Sequence, residues 1–154
     1  MIQQLWSKSV LAIAIATLSA TPLLAQTANF EGLSLATGFR RASASGNTGG
    51  SVSLSTIANT DRYNNFCIGY GGTNPDHIIE LQNNFPSLRF RVNTPNEATL
   101  VIQGPDGMRC VASTTMNPNT ILEDTNWPSG SYRVWVGSKD AGDRFRYNLV
   151  VQER

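Results

Sequence analysis

Apolar and polar residues alternate along most of this chain with a period of two, and clusters of Gly, Pro, Asn and Asp interrupt the alternation about every ten residues. Successive side chains of a strand point to opposite faces, so such a pattern predicts short strands with one dry and one wet side. Residues 87–93 carry it most clearly: Leu88, Phe90 and Val92 interleave with Ser87, Arg89 and Arg91. Arginine at every second position is comfortable only against water. Residues 98–110 predict a hairpin, with Leu100 and Ile102 on one face and Thr99, Val101 and Gln103 on the other. Beyond the turn, Met108, Cys110 and Ala112 alternate with Arg109 and Val111. Gly104, Pro105, Asp106 and Gly107 suit a type I turn, since proline presets φ at the second position, aspartate tolerates the third and glycine accepts the positive φ that follows. A hairpin alone is marginal in water, so this one needs a sheet and a second layer.

The rest of the chain divides in the same way. Phe30, Leu33 and Leu35 mark a short first strand, and residues 51–57 a second with Val52 and Leu54 on one face. Phe66, Ile68 and Tyr70 share a face opposite Cys67, and residues 76–82 bring His77, Ile79 and Leu81 together. Tyr132, Val134 and Val136 alternate with Arg133 and Trp135, and Phe145, Tyr147, Leu149 and Val151 close the series. Residues 38–50 have the composition of an exposed loop, while residues 113–129 read as the longest irregular stretch, pinned by Ile121 and Leu122. Eight or nine strands result, with no helix beyond the N-terminal segment. The predicted class is all-β, as a two-sheet antiparallel β-sandwich, with a small closed barrel as the competing architecture.

Residues 1–25 are read as a cleaved signal peptide. Lys8 precedes a run of about 16 apolar or small residues ending at Ala25, shorter than the roughly 20 that a spanning helix needs. Export to the periplasm or outside the cell follows, with no membrane span after cleavage and one domain over residues 26–154. Without Lys8, eleven basic and eleven acidic side chains balance, which gives no net-charge support for binding nucleic acid or an anionic membrane. In an oxidising compartment Cys67 and Cys110 are candidates for a disulfide. It would close a loop of about 44 residues, for which the chain-entropy argument gives about 4 kcal/mol. Two buried thiols or a metal pair are the alternatives, although zinc needs more ligands than the single histidine, His77, adds.

Candidate chemistry is sparse. No nucleophile-elbow pattern accompanies His77, and glycines 46, 49 and 50 lack the lysine and helix of a phosphate loop. Glu123 with Asp124, or Asp140 with Asp143, could pair for hydrolysis, but both pairs are expected in solvated loops. Loop oxygens of Asn117, Asn119, Glu123, Asp124 and Asn126, or of Asp140 and Asp143, could approach calcium without matching an EF-hand. No metal or cofactor is assigned. Arg89, Arg91, Arg133 and Arg146, with Trp135, are expected to face outward and would form a platform for acidic sugars or a partner protein if their strands adjoin. An ordinary solvated face, with arginine stems covering Trp135, is the alternative.

The order Cys67, Gly69, Tyr70, then Asn74-Pro75-Asp76-His77, then Leu100-Val101-Ile102 with Gly104-Pro105-Asp106-Gly107 and Cys110, then Pro128, Gly130, Tyr132, Val134-Trp135-Val136-Gly137, Tyr147 and Leu149, resembles the bacterial pre-peptidase C-terminal domain over roughly residues 50–152. The resemblance implies a jelly-roll-like sandwich with an accessory, non-catalytic role in secretion, localisation or substrate contact. The expected function is therefore an exported module that binds a protein or carbohydrate at the cell envelope or outside the cell. A small envelope hydrolase using loop carboxylates and a purely structural envelope component are the alternatives.

Overall fold

Eleven strands form among the described residues, 27–154 of a computed structural model; the expected signal peptide lies outside them. They are β1 (Leu33–Leu35), β2 (Arg41–Asn47), β3 (Val52–Ser53), β4 (Tyr70–Gly71), β5 (His77–Leu81), β6 (Phe85–Asn93), β7 (Ala98–Gly104), β8 (Gly107–Ala112), β9 (Thr120–Trp127), β10 (Gly130–Ser138) and β11 (Arg146–Glu153). The first sheet is centred on β10, which pairs with β5 from Gly130 to Val134, with β7 from Arg133 to Ser138, and with β4 at Ser138. Outside these lie β1, β3 and β8; β1 runs parallel to β5, and the other pairings are antiparallel. The second sheet has the order β2-β11-β6-β9, antiparallel throughout.

The two sheets stack through their alternating apolar positions, giving the all-β sandwich that the periodicity predicts. Leu88 and Phe90 of β6 and Leu149 and Val151 of β11 are fully buried against Leu100 and Ile102 of β7 and Val134 of β10. The turn Gly104-Pro105-Asp106-Gly107 joins β7 to β8, and Gly107 has φ 119°.

The first sheet is also covered on its outer side. Directly paired residues share a face, so Val101, Cys110 and Trp135 form one row on the side opposite Leu100 and Val136. That row packs against Leu54 and Cys67, forming a second apolar cluster. Here the expected strands at 51–57 and 66–70 are corrected: only Val52–Ser53 and Tyr70–Gly71 pair as strands. A 3₁₀ turn at Leu54–Thr56 then starts a strap, residues 54–69, laid across the sheet. The cause is the continuous apolar runs Leu100-Val101-Ile102 and Val134-Trp135-Val136, which need covering on both faces.

Two expected loops are strands. Residues 41–47 form β2, whose inward positions are Ala42, Ala44 and Gly46, too small to register as an apolar pattern. At position 46 only glycine fits, because a Cβ there would collide with the Tyr147 hydroxyl and the Phe30 ring. Residues 120–127 form β9, where Thr120 and Asp124 share the inner face with Leu122 and so disguise the alternation.

Candidate functional site

The arginine and tryptophan platform that adjoining strands would make is not formed. Arg89, Arg91 and Arg146 lie on the outer face of the second sheet, opposite Gln152, Val150 and Asn47 in the ladders. Arg133 and Trp135 belong to the outer face of the first sheet, on the other side of the molecule. Trp135 is 4% exposed beneath the strap, in place of the outward orientation expected. Its indole Nε1 has no hydrogen-bond partner among the described residues. Arg89 donates to Glu123 at 2.6 Å.

The strap is fixed at several points. Cys67 and Cys110 are disulfide-bonded, with their Cα atoms 5.2 Å apart. The buried carboxylate of Asp61 accepts from the backbone N–H of Tyr63 (2.8 Å), Asn65 (2.9 Å) and Cys110 (3.2 Å) and from the Asn65 amide (3.0 Å). Burial pushes the Asp61 carboxyl up, but these donors outweigh it and hold its pKa below the usual value. Leu54 N–H donates to Gly69 O at 2.9 Å, and Arg62 N–H to Met108 O at 3.2 Å. From this frame Tyr63, Phe66 and Ile68 project outward, 55%, 70% and 53% exposed. Beside Ile68 is a hollow of 410 Å³, bordered by Tyr70, Ala98, Thr99, Ala112 and Thr115. Thr99 Oγ1 lies buried at its edge without a partner among the described residues. At the rim Lys139 and Glu97 pair at 2.9 Å.

Beneath one end of the strap lies a charged residue whose burial sequence reasoning missed. Arg109, paired with Ile102 in the ladder, turns inward and is 1% exposed. Its guanidinium lies 3.9 Å from the Trp127 ring centroid. It forks onto Asp106 at 2.9 and 2.8 Å, while Nε donates to Asp124 at 2.7 Å. Arg62 reaches Asp106 at 2.7 Å, and the Tyr63 hydroxyl donates to Asp124 at 2.7 Å. Hydrogen bonds from Arg109 hold the Asp106 carboxyl below its ordinary range. Burial raises Asp124, but the donors Tyr63, Thr125 N–H and Arg109 outweigh it and lower its pKa. Asp106 therefore serves both the turn and the clamp.

The remaining chemistry-bearing groups are dispersed. Glu123 and Asp124 are neighbours in β9, not in a loop, and face opposite ways, to Arg89 and to Arg109. His77 is fully buried and bonds through Nδ1 to Glu31 O (2.6 Å) and through Nε2 to the Tyr147 hydroxyl (2.9 Å). A carbonyl only accepts, so Nδ1 carries the proton and Nε2 accepts from Tyr147. Burial lowers the His77 pKa against the raising effects of Glu31 O and Asp76. Asp76 accepts from Asn29 Nδ2 (2.9 Å) and Val136 N–H (2.8 Å), and burial leaves its pKa raised despite these bonds. Asp140 and Asp143 are exposed in one turn. Among the described residues no three His, Cys, Asp or Glu side chains are grouped to hold a metal ion.

No family model matches the chain. It is similar to an uncharacterised protein of Synechococcus elongatus, 30% identical over 91 residues, which cover 56% of this chain and 65% of that protein. The match thus spans less than two thirds of that relative's length. Among solved structures, Aeromonas hydrophila PliG, a periplasmic inhibitor of g-type lysozyme, aligns with a TM-score of 0.41 and 10% identity over 80% of this chain and 99% of that one.

Proposed function

We propose that the chain is an exported, non-catalytic binding module of one domain that holds a partner protein against its strap. The observation that carries this reading is a rigid segment displaying apolar side chains: disulfide and Asp61 fix the strap, yet Phe66 and Ile68 remain more than half exposed. A segment free to rearrange would turn such side chains inward, whereas a fixed one leaves them available to a partner. The adjoining 410 Å³ hollow has room for an apolar side chain from that partner. The charges around it are already paired, Lys139 with Glu97 and Arg62 with Asp106, so recognition rests on apolar contact rather than steering. The disulfide is in keeping with export, and the resemblance to pre-peptidase C-terminal domains with an accessory role.

Site-specific photo-crosslinking tests the reading. A photoreactive residue at position 66 of the full chain, expressed in its own cells, yields a discrete protein adduct that Ile68→Ser removes; the same residue at exposed position 84 yields none. Equal adducts from both positions, or no adduct from position 66, would overturn the proposal. Both substituted side chains are exposed, so thermal stability stays within about 0.5 kcal/mol.

A further inference from the structure

Two hollows of 650 and 460 Å³, which share no lining residue with the strap, meet with Phe30, Asn47 and Arg146 in both their walls. The loops that shape the larger one are laced together. Thr48 N–H donates to Phe145 O (2.9 Å), Thr48 Oγ1 to Asp143 O (2.9 Å), and Phe145 N–H to Thr48 Oγ1 (3.1 Å). Arg144 lies along Gly49, its Nε and Cζ both 3.5 Å from where a Cβ would stand there. Among the described residues no ion pair or side-chain hydrogen bond engages Arg144 or Arg146. The acid that borders the groove, Asp76, has its oxygens committed to Asn29 and Val136. On the smaller hollow's floor Asn93, Asn148 and Ser45 form one row across three strands, with Asn148 donating to Ser45 at 3.1 Å.

These groups have a common chemistry. A guanidinium presents a planar fork to a carboxylate. Asparagine amides donate and accept at once, which matches sugar hydroxyls. The half-buried Phe30 ring, held edge-on by Tyr147, offers an apolar face between them. We propose that the joined groove binds a short uronic acid segment of an acidic polysaccharide, with carboxylates on Arg144 and Arg146, hydroxyls on Asn47 and Asn93, and one sugar face on Phe30. The amide row, which meets hydroxyls, distinguishes this ligand from a bare anion.

Calorimetric titration of the full chain, purified after export, with trigalacturonate tests the site, using galactotriose and inorganic phosphate as comparators at constant ionic strength. Trigalacturonate binds saturably, and both comparators at least about tenfold more weakly, galactotriose because it lacks carboxylates for the arginines and phosphate because it lacks hydroxyls and a sugar face for the asparagines and Phe30. The pairs Arg144→Ala with Arg146→Ala and Arg144→Gln with Arg146→Gln each weaken trigalacturonate about tenfold or more. Phe66→Ser leaves it unchanged, so this site and the strap fail or succeed independently. No saturable binding, equal binding of galactotriose or phosphate, or undiminished binding by either folded double variant would overturn the proposal.

Discussion

Arg109 lies face-on to Trp127, 3.9 Å from its ring centroid, with Asp106 and Asp124 on its donor edge. The contact joins an edge strand of each sheet, β8 and β9, each paired on one side only. A buried charge is tolerable only when paired and hydrogen-bonded, and removing it strands the acids. Arg109→Ala is expected to cost about 3–5 kcal/mol in urea unfolding, and Arg109→Met less, because its length still covers Trp127. Equal stability of the alanine variant and the parent would show that the clamp contributes nothing.

The pH dependence follows from the directions of the shifts. Asp61, Asp106 and Asp124 have folded pKa values below their ordinary 3.8, so their stabilisation is complete above that value and lost as pH falls through the folded values. His77 is lowered from 6.5, so its neutral buried state begins to lose stability as pH drops below about 6.5. Asp76, raised, acts oppositely and gains a proton more readily when folded. The urea midpoint should decline as pH drops below about 6.5 and again below about 3.8, with Asp76 opposing the loss as pH approaches 3.8 from above. His77→Gln should flatten the first decline; an unchanged slope would contradict the histidine's part.

The disulfide fixes the strap over the first sheet. Its two cysteines are 43 residues apart, and replacing both by serine is expected to cost about 2–4 kcal/mol. Trp135, now 4% exposed under the strap, should gain water contact, and tryptophan emission should shift to longer wavelength. An unshifted spectrum in the double-serine variant would mean that the strap stays seated without sulfur.

Gly46 tests the small-residue strand. A Cβ there collides with Tyr147 Oη, the hydroxyl that donates to His77, so Gly46→Ala should cost about 1–3 kcal/mol. Ser43→Ala, on the exposed face of the same strand, should stay within about 0.5 kcal/mol. Equal thermal midpoints for the two variants would refute the close approach of β2 to Tyr147.

Legibility in the sequence followed how many faces of a strand are dry. In β6, Leu88, Phe90 and Val92 alternate against exposed Arg91 and half-exposed Arg89, and this one-sided strand was readable from residue 87, two residues after its start at Phe85. The turn at Pro105 and Asp106 and the pairing of Cys67 with Cys110 were readable because proline, glycine and sulfur carry strong local chemistry. Trp135 lies on its expected face but is buried there, because alternation assumes a wet outer face and nothing local announces a strap arriving from residues 54–69. β2 was hidden by Ala44 and Gly46, and β9 by Asp124, a charged residue on an inner face. Arg109 escaped for a related reason: its inward position is tolerable only because Trp127 and Asp124, far along the chain, meet it there. Of the platform arginines, Arg146 alone reached a candidate site, and its companion there, Arg144, sits in a turn where periodicity is silent.

The account depends most on a strap rigid enough to hold Phe66 and Ile68 away from the core. Hydrogen–deuterium exchange of the oxidised chain reads this directly at the amides of Leu54, Asn65 and Cys67, which donate to Gly69 O, the Asp61 carboxylate and Asn59 O. These amides should be protected well beyond free-peptide rates and lose that protection on reduction, while the amides of Phe90 and Leu149 in the sandwich stay slow. Exchange of the strap amides at free-peptide rates with the disulfide intact would contradict it.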